Sequence, residues 1–430
     1  MYITGWTVLL AALGAVPAAI AQDRSVTWVW LLGVAALALI DSGLAPKPST
    51  IAVRRTVPGS VRLTESTTGT VSVINNGRRR ARGALRDGWQ PSAGATNTRH
   101  KLKMPPGGRE RFTTHFHPTR RGDRHSDRIT VRLQGPLRLA GRQQSILVPD
   151  TLRVLPEFAS RRHLPSRLQR LREIDGQSAV QLKGAGSEFD SLRQYVIGDD
   201  VRSIDWRATA RRADVVVRTY RPERDRRVFI ALDTSRLSAA RVGDAPRLDA
   251  SIEATLLLTA LATRAGDRVQ VTAYDRTERA RALGTTGAGV MPQLAAALAG
   301  VEPELLEPDW PGVVRLVQGR LSQRALVVLL TTIDTSTVDS GLLEAVAALV
   351  QSHVVMVASV DDPEVDQMLR GRDDVHDLYA AGAAARGVLE RDTVATRLRQ
   401  LRAEVVTAAP DDLAPAVADR YLALKAAGRL

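Results

Sequence analysis

Five consecutive apolar residues, Val228 to Leu232, run straight into Asp233, Thr234 and Ser235. A short continuous apolar run closed by polar turn residues reads as a strand buried on both faces. An Asp followed by hydroxyl residues at the carboxyl end of such a strand lies where open α/β sheets bind their ligands. From residue 227 onward strand and helix patterns alternate, which predicts a mostly parallel, Rossmann-type sheet covered on both sides. Leu248–Ala265 reads as a long helix stopped at Gly266, Arg268–Tyr274 as a strand, and Val290–Ala299 as a helix after the loop 284–289. Ala325–Thr332 reads as a central strand, Ser340–Val350 as a helix and Val354–Val360 as a strand; a helical stretch after Asp361, a strand near Val405 and a helix from Asp411 complete the series.

The other end of the chain is constrained by lipid. Ile3 to Ala21 carries no charge, and as a helix it would span roughly 28 Å, close to a bilayer core. Val26 to Ile40 is a second apolar run, with Trp28 and Trp30 where an interfacial belt would put them. Residues 1–45 are therefore expected as a transmembrane helical hairpin turned at Gln22–Ser25. The rival reading is a secretory signal ending at Ala19–Ala21; no Lys or Arg precedes the first run and a second run follows at once, which favours the hairpin. Asp41 marks the end of the second span, because a carboxylate at mid-membrane costs about 2.5 to 3.5 kcal/mol. Lys47, Arg54 and Arg55 follow, so the positive-inside bias predicts an inner-membrane protein with two spans and cytoplasmic soluble domains.

Residues 50–155 alternate β-forming runs with turns such as Asn75–Gly77 and Pro105–Gly108, and predict a small β-sandwich. Its histidines, His100, His115, His117 and His125, have no matching ligand spacing and read as surface residues. Residues 156–183 read as a basic linker, helical after Pro165. Charge is divided unevenly along the chain: 39 Lys/Arg against 19 Asp/Glu up to residue 230, and 21 against 27 beyond it. A basic half beside the spans suits an anionic bilayer; few aromatics interleave the arginines, so no nucleic acid partner is expected. Cysteine is absent, which excludes thiol nucleophiles and Cys-ligated zinc.

Residues 184–226 carry the most specific pattern: Glu188 and Phe189, then Leu192, Arg193 and Tyr195, then Gly198, Asp199 and Asp200, then Arg202, Ile204, Asp205 and Trp206, and finally Arg211. This resembles the bacterial family called domain of unknown function 58, whose members carry GxE[FY]xxLRxYxxGDxxRxIDWxxxAR before a von Willebrand factor A-like domain. Read from the residues, the signature is structural. Asp199, Asp200 and Asp205 lie among Arg193, Arg202, Arg207 and Arg211 and suit fork-like ion pairs; Ser203 can cap a short helix, and Ile204 and Trp206 supply apolar anchors.

The resemblance also implies a metal-dependent adhesion edge in residues 227–430. Its DxSxS motif is here Asp233, Thr234, Ser235, Arg236, Leu237, with Leu237 at the second Ser position; Thr285 or Thr286 stands for the loop Thr and Asp334 for the second carboxylate. Oxygen ligands from three loops suit Mg²⁺, or Mn²⁺ in its place. The family further implies MoxR-type AAA+ ATPases and transglutaminase-like membrane proteins as partners. The expected function is a membrane-anchored, non-enzymatic interaction or assembly protein. The alternative is a haloacid-dehalogenase-like phosphoesterase with Asp233 as nucleophile and Thr331 or Thr332 as the second hydroxyl. That chemistry needs an Asp two residues after the nucleophile, where this chain has Ser235.

Overall fold

A computed structural model of the chain describes residues 1–181, 188–197, 199–212, 214–221, 226–284 and 289–430, and the chain divides into two compact units, Met1–Glu157 and Phe158–Leu430. The first unit opens with a short strand, β1 (Tyr2–Ile3), followed by helices α1 (Gly5–Leu13), α2 (Ala15–Ala21) and α3 (Arg24–Leu44). Among the described residues α3 alone is long and apolar enough to cross a membrane. Helices α1 and α2 pack along it: the Trp30 indole donates to the Leu10 carbonyl at 2.9 Å, and a Cβ on Gly14 would overlap that indole. The chain reverses through Gln22 in the left-handed region, and Asp23 caps α3 by accepting from Ser25 N at 2.9 Å.

Nine further strands follow: β2 (Ile51–Thr56), β3 (Ser60–Arg62), β4 (Thr67–Asn75), β5 (Ala81–Asp87), β6 (Ala95–Thr96), β7 (Arg99–Met104), β8 (Arg109–Phe116), β9 (Gly122–Gln134) and β10 (Ala140–Leu155). They form two sheets, β1-β10-β9-β5-β7 and β2-β4-β8-β6, with β3 added parallel to the end of β10. Val71 and Val73 of one sheet meet Leu85, Leu102, Ile129 and Val131 of the other in a shared core. Strand β7 shows why the faces separate: Arg99, Lys101 and Lys103 point outward while His100, Leu102 and Met104 are buried. His100 is thus not the surface residue expected; its ring stacks on Phe112 with centroids 4.5 Å apart. Arg55 is also inside, its guanidinium 2.5 Å from Asp87 with both side chains 1% exposed.

The last turn of α3 is fastened to the β9–β10 turn by one carboxylate. Asp41, fully buried, accepts from the backbone N–H groups of Leu137 at 2.7 Å, Leu139 at 2.8 Å and Ala140 at 2.9 Å. A negative charge near a helix C-terminus opposes the helix dipole; the three N–H groups offset it, and Arg142 and Arg79 donate to the terminal carbonyls of Ser42, Gly43 and Leu44. Gly135 makes the approach possible, since a Cβ there would overlap the Asp41 carboxylate. The beginning of α1 is held on the same turn, with Thr4 N donating to Leu139 O at 2.9 Å.

In the second unit, residues 159–163 make a 3₁₀ turn leading into α4 (Leu164–Gln181). The segment read as a linker is therefore packed structure: Leu171 and Ile174 are in the core and Arg167 pairs with Asp419 at 2.6 Å. Next come β11 (Glu188–Gln194), α5 (Trp206–Arg212) and β12 (Val216–Arg221), with β11 and β12 antiparallel.

Strand β13 (Arg227–Asp233), a short hairpin of β14 (Arg241–Val242) and β15 (Ala245–Pro246), and α6 (Arg247–Arg264) lead to β16 (Arg268–Tyr274) and β17 (Glu278–Gly284). Helices α7 (Val290–Ala299) and α8 (Trp310–Arg320) precede β18 (Leu326–Leu330), and α9 (Thr335–Asp339) and α10 (Leu342–Leu349) precede β19 (Val354–Val360). Helices α11 (Pro363–Arg370) and α12 (Val375–Gln400), strand β20 (Glu404–Ala408) and α13 (Pro410–Ala426) close the chain.

The sheet order is β17-β16-β13-β18-β19-β20, parallel except for the edge strand β17. Strand β13 is buried on both faces, as its sequence requires: Val228, Ile230 and Leu232 enter the core with α4, α6, α7 and α13, while Phe229 and Ala231 enter the core with α8, α10 and α12.

Replacing Asp41 by Ala leaves three buried N–H groups without their acceptor. Each hydrogen bond to a charged group is worth about 1.5 to 3 kcal/mol, so the detergent-solubilised protein is expected to lose several kcal/mol, read as an earlier thermal transition. Gly135→Ala is expected to shift the same transition in the same direction.

Candidate functional site

From β13 the chain crosses to β16 on one side, and from β18 to β19 on the other, so the strand order reverses between β13 and β18. The crevice outside the carboxyl ends of such a strand pair is the ligand position of open α/β sheets. Asp233 closes β13 there and Thr331 follows β18. The two strands are joined through their side chains, with the Thr331 hydroxyl donating to Asp233 Oδ2 at 2.7 Å. Asp233 Oδ1 accepts from Ser235 N at 2.8 Å. Ser235 and Thr234 are fully buried, and the Thr234 hydroxyl donates to Asp275 Oδ2 at 3.1 Å.

Burial pushes the Asp233 carboxyl above the usual carboxylate range, and the Thr331 and Ser235 donors offset only part of that shift; the nearby negative Asp275 adds to it. Asp334 goes the other way. Burial raises it too, but Oδ1 accepts from the Ser336 hydroxyl at 2.7 Å, the Thr337 hydroxyl at 2.7 Å and Thr337 N at 2.9 Å, and the outcome is a depressed carboxyl. Arg247 at the start of α6 contributes to that depression. Asp275 is likewise held low despite burial, chiefly by Arg279 at 2.6 Å.

Several residues here were not singled out in the sequence. Tyr274, Asp275 and Asp309 line a small cleft with Asp233; Asp309 caps α8 through Gly312 N at 2.9 Å and accepts from the Tyr274 hydroxyl at 3.1 Å. The available signals were a carboxylate directly after β16 and an Asp-Trp-Pro helix start.

The oxygen donors at this edge suit a hard divalent ion only in part. Both Asp233 oxygens are engaged by protein donors. All three bonds to Asp334 fall on Oδ1, so Oδ2 has no protein donor among the described residues. Leu237, buried, occupies the second hydroxyl position, and its N–H donates to Ser235 Oγ at 3.4 Å. Thr285 and Thr286 lie outside the described residues. Among the described residues no three Asp, Glu or His side chains surround one point.

The signature segment is held by ion pairs, though not all those expected. Arg193 forks onto Asp199, with its Nη1 2.7 Å from Oδ2, while Asp205 pairs with Arg218 at 2.8 Å rather than with Arg207 or Arg211, and Arg211 is exposed. Glu188 lies on β11, where it pairs in register with Arg221. Asp205, not Ser203, caps α5, accepting from Arg207 N and Ala208 N at 3.0 Å; Asp200 caps the preceding 3₁₀ turn through Arg202 N. Tyr195 N donates to Val215 O at 2.8 Å, extending the β11–β12 pairing. Trp206 does not anchor the segment internally. It is 65% exposed, and Val196, Ile197 and Val201 are exposed with it.

Comparison with known proteins adds the following. The family described as "Protein of unknown function DUF58" matches residues 191–409. The "Uncharacterized protein YeaD" of Bacillus subtilis (strain 168) is 27% identical over 146 residues, 34% of this chain and 35% of that protein, so the match spans about a third of the relative's length. An aerotolerance-related membrane protein from Bacteroides fragilis NCTC 9343 aligns at 14% identity and TM-score 0.32, covering 47% of this chain and 99% of that one. Proximal thread matrix protein 1 from the mussel byssus aligns at 12% identity and TM-score 0.27, covering 46% of each chain.

Asp233 binds its proton more tightly folded than unfolded, so its contribution to stability is fully present below the unfolded carboxyl value and falls as pH rises toward the folded one. Asp233→Asn is expected to raise the unfolding temperature at neutral pH and to flatten this decline. Asp334, with its depressed carboxyl, stabilises above the unfolded value and loses that effect as pH falls. Asp334→Ala is expected to cost about 1 kcal/mol at pH 7, as helix caps do, and less in acid. Unfolding curves across pH 3 to 8 check both signs.

Proposed function

This chain belongs to the DUF58 family, and from that premise we propose that it is a membrane-anchored, non-enzymatic interaction or assembly protein that engages its partner through the β13–β18 edge. One observation carries the proposal: Asp233, buried where the strand order reverses and tied to Thr331 of the next strand. A dry carboxylate at that position is the usual mark of a ligand edge in this architecture. In this reading residues 227–430 are a von Willebrand A-like domain with a degenerate adhesion motif. Asp233, Ser235 and Asp334 would hold Mg²⁺ or Mn²⁺, with Thr285 or Thr286, and the ion would supply a Lewis-acidic position for a partner's carboxylate.

The partner proposed is a MoxR-type AAA+ ATPase, with a transglutaminase-like membrane protein as neighbour, as the family resemblance implies. Exposed Ile197, Val201 and Trp206 on the signature segment suit an interaction role, since large apolar side chains left in water favour association.

The N-terminal helices are proposed as two spans of an inner-membrane hairpin, followed by a β-sandwich, with both soluble parts cytoplasmic. Trp6, Ile20, Trp28, Val29 and Leu32 are all more than 60% exposed on these helices, which suits a lipid surround. Lys47 and Arg54 supply the positive-inside bias.

Solubilised membranes carrying the wild-type chain are expected to yield an AAA+ ATPase on capture, and Asp233→Ala and Asp334→Ala to lose it. Recovery of no ATPase by the wild type removes the partner assignment. In parallel, millimolar Mg²⁺ is expected to raise the unfolding temperature of the wild type by mass action and not that of Asp334→Ala. An unchanged temperature in both assigns the edge to direct, cation-free contact.

A further inference from the structure

The first unit carries positive charge that its own fold leaves unneutralised. On the outer face of its larger sheet, Arg82 of β5 lies directly opposite Lys103 of β7, and Arg86 directly opposite Arg99. Like charges directly opposite one another destabilise a strand pair. None of these four side chains has a carboxylate partner among the described residues. Two repulsive pairs on one face, with Ala84 opposite Lys101 between them, call for counter-charge from outside the chain.

The row ends at a hollow of about 510 Å³ beside Leu44, the last residue of α3. Arg79, Arg80 and Arg82 line it on one side, and Leu44, Pro46 and Pro136 give it an apolar wall. Arg79 is committed to the Leu44 carbonyl at 2.6 Å. The side chains of Arg80 and Arg82 make no hydrogen bond within the described residues, and Arg80 is exposed.

We propose that this hollow is a binding site for the headgroup of an anionic phospholipid. The phosphate sits on the guanidinium forks of Arg80 and Arg82, and the glycerol end of the acyl chains lies against Leu44, Pro46 and Pro136. Planar guanidinium groups match phosphate oxygens in pairs, and basic pockets at the exit of membrane helices take lipid headgroups. The hollow contains no aromatic side chain on which a nucleic acid base could stack, and its apolar wall has no use for a free phosphate. The proposal rests on the reading that α3 spans the bilayer.

The test is reconstitution of the full chain into nanodiscs of phosphatidylcholine with or without phosphatidylglycerol, followed by native mass spectrometry of the released protein. The wild type is expected to retain phosphatidylglycerol in preference to phosphatidylcholine, with that preference falling about fivefold for each of Arg80→Gln and Arg82→Gln. Arg86→Gln and Arg99→Gln, each of which removes one charge farther along the sheet, are expected to keep it. Equal loss in both pairs, or no preference in the wild type, overturns the site while leaving the membrane reading intact. Competition by millimolar inorganic phosphate, or Arg80-dependent binding of an RNA oligonucleotide by the solubilised chain, overturns the lipid assignment. A chain that does not enter nanodiscs overturns the membrane reading itself.

Discussion

Strand β13 has helices on both faces and paired strands on both edges, so every side chain from Val228 to Leu232 is buried. Its backbone register fixes β16 and β18 on either side, and through them the remainder of the parallel sheet. Burial of a large apolar side chain contributes about 1.5 to 3 kcal/mol, and the strand supplies Val228, Ile230 and Leu232 to one core and Phe229 to the other. The same burial puts Asp233 in a dry place. A carboxylate there is unfavourable unless donors converge on it, and Ser235 and the Thr331 hydroxyl offset its burial only in part. Its raised proton affinity follows chiefly from burial at the end of the strand, and the negative Asp275 adds to it.

Asp41 shows the opposite solution to the same problem. It is as buried as Asp233, yet three backbone N–H groups and the glycine at 135 make a seat for its charge. One carboxylate is thereby a fastener and the other a group held in reserve. Asp334 lies between these cases, half-buried and satisfied through a single oxygen. The contrast is why the proposed edge is located at Asp233 and Asp334 and not at the more numerous carboxylates of the signature segment, whose oxygens are spent on Arg193, Arg218 and helix caps.

Much of the second unit was legible from apolar runs. Val354–Val360 is a strand with the predicted bounds, and Val290–Ala299 a helix with the predicted bounds, because continuous or strongly periodic burial leaves little choice of structure. Strand β17 was missed: Glu278–Gly284 is an edge strand, charged on one side, and carries no apolar run. Helix α4, read as the helical part of a basic linker, packs because Leu164, Leu168 and Leu171 recur at helical spacing between its arginines. His100 was misjudged, and the burial of Arg55 was not legible, for a common reason: polar side chains become core residues only through tertiary partners, Phe112 and Asp87, that lie elsewhere in the sequence. At the candidate site, Asp233, Ser235 and Asp334 could be found from strand ends, whereas Asp275 and Asp309 required knowing which strands are neighbours.

The central claim is that the carboxyl edge at β13 and β18 is the surface through which this protein works. Site-specific photo-crosslinking in native membranes tests it directly, with the reactive side chain placed either at Arg236, exposed just beyond Asp233, or at Gln351, exposed at the amino end of β19. The account predicts a discrete crosslinked product containing an AAA+ ATPase from position 236 and none from 351. Crosslinks from 351 alone, or none from 236 in cells that express both proteins, would contradict it.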